Sequence, residues 1–132
     1  MLICLVAIGV AATAFAQAAE RRQSTWQTDF GTVSLVQEGP VIWGTYDYHG
    51  GRITGSMVGG KFYGFWWEDD DATGAGPFGA WCGPCVFVFD ATGASFKGTY
   101  GKHSRGESTF WTIDPARLWN GTRTGGTIDL MK

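Results

Sequence analysis

Apolar and polar residues alternate with a period of two along most of the chain, and short runs rich in Gly, Pro, Asp or His interrupt the alternation. This period is typical of β-strands, whose successive side chains point to opposite faces. No stretch of useful length has the 3.6-residue period of a helix. The pattern predicts eight strands, over residues 25–37, 41–48, 52–58, 61–68, 85–90, 95–100, 107–113 and 118–123.

Short turn sequences such as Gly59-Gly60 separate most of these segments and predict tight hairpins between neighbouring strands. Sequential hairpins make an antiparallel up-and-down meander, and closing the meander into a barrel removes its two exposed edges. The predicted fold is therefore all-β, a small barrel of about eight strands. Between the last two strands, Asp114 followed by Pro115 predicts one helical turn over residues 114–117.

A second pattern accompanies the alternation: hydrophobic, any residue, Gly, any residue, aromatic. With two looser variants, it centres on the mid-strand glycines Gly44, Gly55, Gly64, Gly98 and Gly121. Gly weakens a strand unless a bend or close packing needs it. We expect these glycines to face the interior and to leave room beside Tyr46, Trp66 and Tyr100 for a small apolar or ring-shaped ligand. The alternatives are outward-facing glycines at bends or partner surfaces, and an interior filled by side chains.

The first residues differ from the rest of the chain. Residues 1–19 are apolar and Ala-rich, and Ala14-Phe15-Ala16 fits the small–x–small rule for signal-peptide cleavage. We expect a signal peptide over 1–19 and a single β-barrel domain over 20–132, in a secreted or periplasmic protein. No other hydrophobic run approaches the length of a membrane span.

Composition narrows the function. The 132 residues carry a formal net charge of −2, and the ten Lys and Arg residues are scattered, which argues against nucleic-acid binding. Nine Phe and seven Trp residues offer aromatic surface instead. Since no phosphate-binding loop or serine-nucleophile motif is present, we expect no cofactor, and a binding or structural module rather than an enzyme.

Aromatic side chains are the main candidates for ligand binding. Tyr46, Trp66 and Tyr100, together with Tyr48, are expected to line the barrel or stack on sugar rings, because Tyr and Trp join an apolar body to a polar tip. The predicted ligand is a small apolar molecule or a sugar. An alternative function is partner binding or homo-oligomer formation through exposed aromatic residues, for example Trp43 and Trp67.

Four segments carry a resemblance to known proteins: residues 26–31, Gly44-Thr45-Tyr46, Gly64-Phe65-Trp66 and residues 119–123, which read Trp–x–Gly–x–Arg. Their order resembles that of secreted bacterial proteins of unknown function, which share a glycine–aromatic meander. The resemblance covers most of residues 20–132 and implies the barrel without implying an activity.

Residues 26–46 also resemble, more distantly, the opening of avidin-type biotin-binding barrels. This resemblance implies ligand-facing positions at Thr28, Phe30, Thr32 and Tyr46. The late Trp and Asp residues that complete a biotin site have no counterpart here. The opening Trp26 and the late Arg123 resemble those of lipocalin-like barrels, which implies that Arg123 packs over Trp26 to close the barrel.

The stretch Trp81-Cys82-Gly83-Pro84-Cys85 matches the thioredoxin active-site motif. In that motif the first Cys lies at a helix N-terminus, where the helix dipole lowers the pKa of its thiol. Here the residues after Cys85 form a strand pattern, so we expect a structural disulfide between Cys82 and Cys85. Thiol–disulfide oxidoreductase activity through the same two residues is the alternative.

Asp69, Asp71 and Thr73 alternate along an acidic segment, as oxygen ligands do at the start of a calcium loop. Ala80 stands where such a loop needs its final carboxylate. We therefore expect a solvated acidic loop and no metal site, with Ca²⁺ binding as the alternative.

Overall fold

The structure is a computed structural model that describes residues 20–69, 81–104, 108, 109 and 111–132. A 3-10 turn spans Tyr48–Gly50, and no helix in the described part of the chain is long and apolar enough to cross a membrane. The described residues form ten strands: β1 (Arg21–Thr28), β2 (Gly31–Glu38), β3 (Val41–Tyr46), β4 (Gly51–Val58), β5 (Lys61–Glu68), β6 (Trp81–Phe89), β7 (Ser95–Tyr100), β8 (His103–Ser104), β9 (Asp114–Leu118) and β10 (Gly121–Gly126).

The strands form a closed antiparallel barrel, which confirms the predicted fold. Each of strands β1 to β6 pairs with the next strand in sequence, and β10 lies between β7 and β1. The barrel therefore has eight strands, β1–β7 and β10. Two short strands extend existing pairings: β8 pairs with β6, and β9 pairs with β7.

Two of the predicted strands are placed differently. The first, over 25–37, is divided into β1 and β2, because Gly31 adopts a positive φ of 83° at the turn between them. The strand predicted over 107–113 is absent at those of its positions that the structure describes. Residues 114–117, expected as a helical turn, belong to β9. Pro115 is compatible with this strand because β9 is an exposed edge, where a missing N–H breaks no ladder.

Aromatic side chains fill the barrel. Trp26, Phe87 and Trp119 are among the largest fully buried residues, and the rings of Phe87 and Phe96 stack with their centroids 4.1 Å apart. The indole N–H of Trp26 donates to Ser24 Oγ at 2.8 Å, so this buried donor has its partner. The middle of the barrel is thus a packed aromatic core.

The glycines of the repeated pattern alternate in step with buried residues on their strands, so they face the interior as expected. Gly98 of β7 lies opposite Phe87 of the adjacent strand β6, and Gly121 of β10 lies opposite Phe96 of β7. A methyl group on either glycine would overlap the ring of its partner. The rings therefore occupy the space that these glycines provide, and the glycine layer is filled rather than open.

Residues that follow β10 cover one end of the barrel. The buried side chain of Gln37 donates to the Asp129 carbonyl oxygen at 2.8 Å and accepts from the Asp129 amide at 2.8 Å. The Gly60 amide donates to the Leu130 carbonyl oxygen at 2.7 Å. Ile128 and Leu130 pack against the core. This end is therefore closed by the chain itself.

We expect Gly98→Ala to lower the free energy of unfolding by about 1–3 kcal/mol, because the added methyl group would collide with the Phe87 ring and the Trp119 carbonyl oxygen. Gly125→Ala in β10 is the matched control, since its methyl group would meet only Thr25 Oγ1, at 3.0 Å. Urea unfolding of the two variants measures the difference. Equal stabilities would contradict the ring-on-glycine packing.

Candidate functional site

Residues 127–132, which follow β10, are called the tail. The barrel end opposite the tail contains a cavity of about 40 Å³. The turn after β1, the Tyr48–Gly50 turn and the ends of β5 and β7 surround it. A single water needs about 10–15 Å³, so the cavity has room for a small polar group of a few atoms. It is lined by Phe30, Tyr46, Tyr48, Trp66, Glu68, Tyr100, Lys102 and Trp119.

The aromatic walls of the cavity pack on one another edge to face. The Phe30 ring lies 4.9 Å from Trp119 and 5.3 Å from Tyr100, measured between ring centroids. Tyr46 lies 5.0 Å from Trp119, and Trp66 lies 5.9 Å from Tyr100. Such pairs are favourable arrangements for aromatic rings, and together they hold the walls in place.

Hydrogen bonds fix both indoles of the cavity. The Trp66 indole N–H donates to the Gly101 carbonyl oxygen at 3.0 Å. The Trp119 indole N–H donates to Thr28 Oγ1 at 3.1 Å. Both N–H groups are therefore satisfied by the protein, and each indole contributes its ring to the wall.

Tyr46 and Glu68 form the polar part of the cavity. Tyr46 of β3 pairs with Gly51 of β4, and continuing the β4–β5 register by one position places Glu68 opposite the same glycine. A methyl group on Gly51 would overlap the Tyr46 ring, so the absence of a side chain lets the ring cross β4. The Tyr46 hydroxyl is then the hydrogen-bond partner of the Glu68 carboxyl.

Glu68 is a buried acid with an incomplete set of partners. Only 7% of the residue is exposed, and Oε2 is buried without a hydrogen-bond partner among the described residues. Burial raises the pKa of the Glu68 carboxyl, against smaller opposing effects of His49, Lys102 and the Tyr46 hydroxyl. Burial and the nearby Glu68 also raise the pKa of Tyr46, so its hydroxyl stays protonated and can donate. An unpaired buried acceptor costs about 1–3 kcal/mol and needs an explanation.

A second cavity, of about 180 Å³, adjoins the first and is lined by Tyr48, His49, Glu68, Asp69, Trp81 and Lys102. Lys102 Nζ lies 4.8 Å from the centroid of the Trp81 ring, in a cation–π contact. Within the described part of the chain, no ion pair joins Lys102 to Glu68. The site thus widens from a buried acid to a rim that carries charges of both signs.

Four of the six ligand-facing residues expected from the sequence line the inner cavity together, namely Phe30, Tyr46, Trp66 and Tyr100. Thr28 lies behind the cavity wall, where it holds the Trp119 indole. Thr32 is exposed on the outer face of β2, and its backbone N–H donates to Asp47 Oδ2 at 3.3 Å. Neither Thr lines the cavity.

Glu68, Lys102 and Trp119 also line the inner cavity but were not predicted from the sequence. A signal for Glu68 was present, because it lies two positions after Trp66 and therefore on the same face of β5. Lys102 follows Tyr100 at the same spacing, just beyond the end of β7. Charged residues at inward-facing positions are the pattern that would have found both.

Arg123 pairs with Trp26 across the closing ladder between β10 and β1. Its Nε donates to the Gly93 carbonyl oxygen at 3.1 Å, in the turn between β6 and β7. The Trp26 ring packs inside the barrel, 5.3 Å from the rings of Phe89 and Phe96. The ladder register places the two residues opposite each other at the closure, and the packing of the Arg123 guanidinium over the Trp26 indole stays a prediction.

The predicted disulfide between Cys82 and Cys85 is wrong, since no disulfide joins the two. Both residues lie in β6, three positions apart, so they point to opposite faces and their Cα atoms are about 10 Å apart. A disulfide needs Cα atoms within about 7 Å. The extended backbone of β6 therefore prevents the bond.

The thioredoxin-like alternative is not supported either. The motif lies inside a strand rather than at a helix N-terminus, and burial raises the pKa of the Cys85 thiol. Its Gly83 makes room for the Gly101 carbonyl of the neighbouring segment, and the Pro84 carbonyl accepts the Gly101 N–H at 2.9 Å. Gly and Pro of the motif thus serve strand packing.

Several predictions fall outside the described residues or concern the barrel surface. The signal peptide over 1–19 and two members of the calcium motif, Asp71 and Thr73, lie outside them. Among the described residues, no group of three or more His, Cys, Asp or Glu side chains could hold a metal ion. Trp43 and Trp67, expected to be exposed, are half-buried, and the Arg21 guanidinium lies 5.8 Å from the Trp43 ring.

No protein-family model, curated protein or solved structure matches this chain.

Glu68→Gln is expected to stabilise the protein increasingly as the pH rises from about 4.3, the ordinary pKa of Glu, through the raised pKa of the folded state. In that window the folded state binds the extra proton, so wild-type stability falls as the pH rises, whereas Gln cannot ionise. Each unit of raised pKa is worth about 1.4 kcal/mol. Thermal unfolding of the wild type and the variant at pH values from roughly 3.5 to 8 measures this stability difference on both sides of the ordinary pKa of Glu. A constant difference across the range would contradict a raised pKa.

Cys82 and Cys85 are expected to react slowly with iodoacetamide in the folded protein and fully after unfolding, because both are buried. Peptide mapping after alkylation distinguishes the two sites from Cys4. A reductant should leave the unfolding temperature unchanged. Recovery of a Cys82–Cys85 disulfide from the native protein would contradict the geometry of β6.

Proposed function

We propose that the protein is a small-molecule-binding β-barrel, acting after export as residues 1–19 predict, and that its ligand occupies the cavity at the aromatic end. The observation that carries this proposal is the buried Glu68 carboxyl, which lines both cavities and whose Oε2 has no partner in the part of the chain that the structure describes. A ligand that donates a hydrogen bond to Oε2 would remove that cost.

The two ends of the barrel support this reading by contrast. At the closed end, the nitrogen and the oxygen of the buried Gln37 side-chain amide both hydrogen-bond to the backbone of Asp129 in the tail. At the other end, the buried Glu68 has one carboxyl oxygen unpaired. Buried polar groups in folded proteins are nearly always paired, so the first end has the features of a structural closure and the second those of a binding site.

The shape of the site favours a ligand with a narrow polar head and a wider apolar or ring-shaped body. The head would enter the inner cavity of about 40 Å³, and the body would lie in the outer cavity of about 180 Å³. Tyr48 and Trp81, both exposed at this rim, offer rings on which the body can stack. A barrel end that served only to pack apolar side chains would have no use for a buried unpaired acid or for a cavity that widens outwards.

Indole N–H signals in a ¹H–¹⁵N NMR spectrum test this proposal. Titration with a panel of small amines, alcohols, sugars and hydrocarbons should shift the signals of Trp66 and Trp119 saturably for at least one compound. Trp26 is an internal reference, since it is buried in the core away from the cavity lining. Movement confined to other tryptophans would place binding elsewhere and overturn the proposal.

A pair of Phe variants separates binding in the cavity from nonspecific contact. Phe30→Ala removes a cavity wall. It should lower the affinity for the compound that shifts the NMR signals by about 10-fold or more, corresponding to about 1.4 kcal/mol. Phe65→Ala is the control, because Phe65 packs on Trp111 outside the barrel with their centroids 5.1 Å apart. Equal affinities for the two variants would contradict a site at the aromatic end.

A further inference from the structure

The chemistry around Glu68 narrows the ligand class, an inference that rests on the proposed function. Oε2 is an acceptor that none of the described residues satisfies, and the residue is more than nine-tenths buried. When the carboxyl is ionised, a hydrogen bond from a charged donor stabilises it more than one from a neutral donor. The first requirement on the ligand is therefore a donor that suits a buried carboxylate.

The surrounding rings set a second requirement. Tyr46, Trp66, Tyr100 and Trp119 line the same inner cavity as Glu68. Aromatic faces carry negative electrostatic potential, and a cation close to a ring face is attracted to it, more strongly when water is excluded. A ring that presents its face to the cavity thus favours the same charge on the ligand as the acid does.

Lys102 gives an internal example of this preference. Its ammonium group lies over the Trp81 ring at the rim, 4.8 Å from the centroid, although Glu68 lines the same cavities. The protein's own cation therefore binds an aromatic face at this end of the barrel and leaves Oε2 unpaired.

We propose that the inner cavity binds a protonated amine that retains at least one N–H, with the ammonium group against Glu68 and the four aromatic walls. The apolar or ring-shaped part of the amine extends into the outer cavity, past Tyr48 and Trp81. Tyr46 keeps its hydrogen bond to the other side of the carboxyl and orients it. The N–H donor pairs with Oε2, and the rings stabilise the charge.

Three matched probes test the charge and the N–H separately: benzylamine, benzyl alcohol and benzyltrimethylammonium. At pH 7, we expect benzylamine to bind at least tenfold more tightly than the alcohol, which has a donor but no charge. We also expect it to bind more tightly than the quaternary ion, which has the charge but no N–H. Isothermal titration calorimetry with the full chain gives the three affinities. If benzyl alcohol binds as tightly as benzylamine, the site stands and the ammonium class is overturned.

Variants connect the preference to the proposed contact. Glu68→Gln should lower the affinity for benzylamine at least tenfold. It should change the affinity for benzyl alcohol less than twofold, because the Gln oxygen still accepts a hydrogen bond. Glu38→Gln is the matched control, since Glu38 lies at the other end of the barrel in an ion pair with Arg21. Unchanged benzylamine affinity in Glu68→Gln would overturn the proposal.

A second variant keeps the test decisive if Glu68→Gln fails to fold. Lys102→Gln removes a positive charge from the rim and should strengthen benzylamine binding at least threefold while leaving the alcohol unchanged. Weaker benzylamine binding in this variant would contradict an ammonium-binding cavity. If no compound of the wider NMR panel binds, the proposed function itself fails, and this outcome is distinct from loss of the amine preference alone.

Discussion

Large rings inside this small barrel lie across neighbouring strands, and inward-facing glycines on those strands make the space for them. The pairs Phe87 with Gly98 and Phe96 with Gly121 are direct partners in the ladder, and a methyl group on either glycine would overlap the ring. An interior enclosed by eight strands is just wide enough for side chains, so bulky residues need small ones beside them. The aromatic core and the glycine pattern therefore depend on each other, because each ring fills the space that a glycine leaves.

The same constraint builds the candidate site. Tyr46 pairs with Gly51, and because this glycine has no side chain, the phenol ring crosses β4 and its hydroxyl reaches the Glu68 carboxyl. The carboxyl is thereby oriented from one side, while Oε2 stays unpaired. A packing rule that fills the middle of the barrel thus places a polar group at its end.

Much of the fold could be predicted because it depends on local pattern. Alternation and short turns predict an antiparallel meander. The number of barrel strands is correct because the division of residues 25–37 into two strands offsets the strand predicted over 107–113, which is absent at its described positions. The strand at 114–118 was missed because Asp114-Pro115 is also a helix-start signal, and only pairing with β7 decides between them. The disulfide was mispredicted because Cys spacing was considered without the extended geometry of β6.

The candidate site was predictable only in part, for a related reason. Inward-facing aromatic residues such as Phe30, Trp66 and Tyr100 were identified from the strand pattern and the barrel resemblance, and they do line one cavity. The partners of a buried acid depend on residues far apart in the chain. Glu68 meets Tyr46 through the register of three strands, and neither residue reveals the other locally.

The most direct test of this account is the titration of the Glu68 carboxyl carbon by ¹³C NMR, in the free protein and with saturating benzylamine. We expect a pKa above about 4.3 for the Glu68 carboxyl in the free protein, because burial disfavours the carboxylate. We also expect this pKa to fall when the amine binds, because a neighbouring cation favours the ionised form. A pKa at or below about 4.3 that the amine leaves unchanged would contradict the buried acid as the centre of the site.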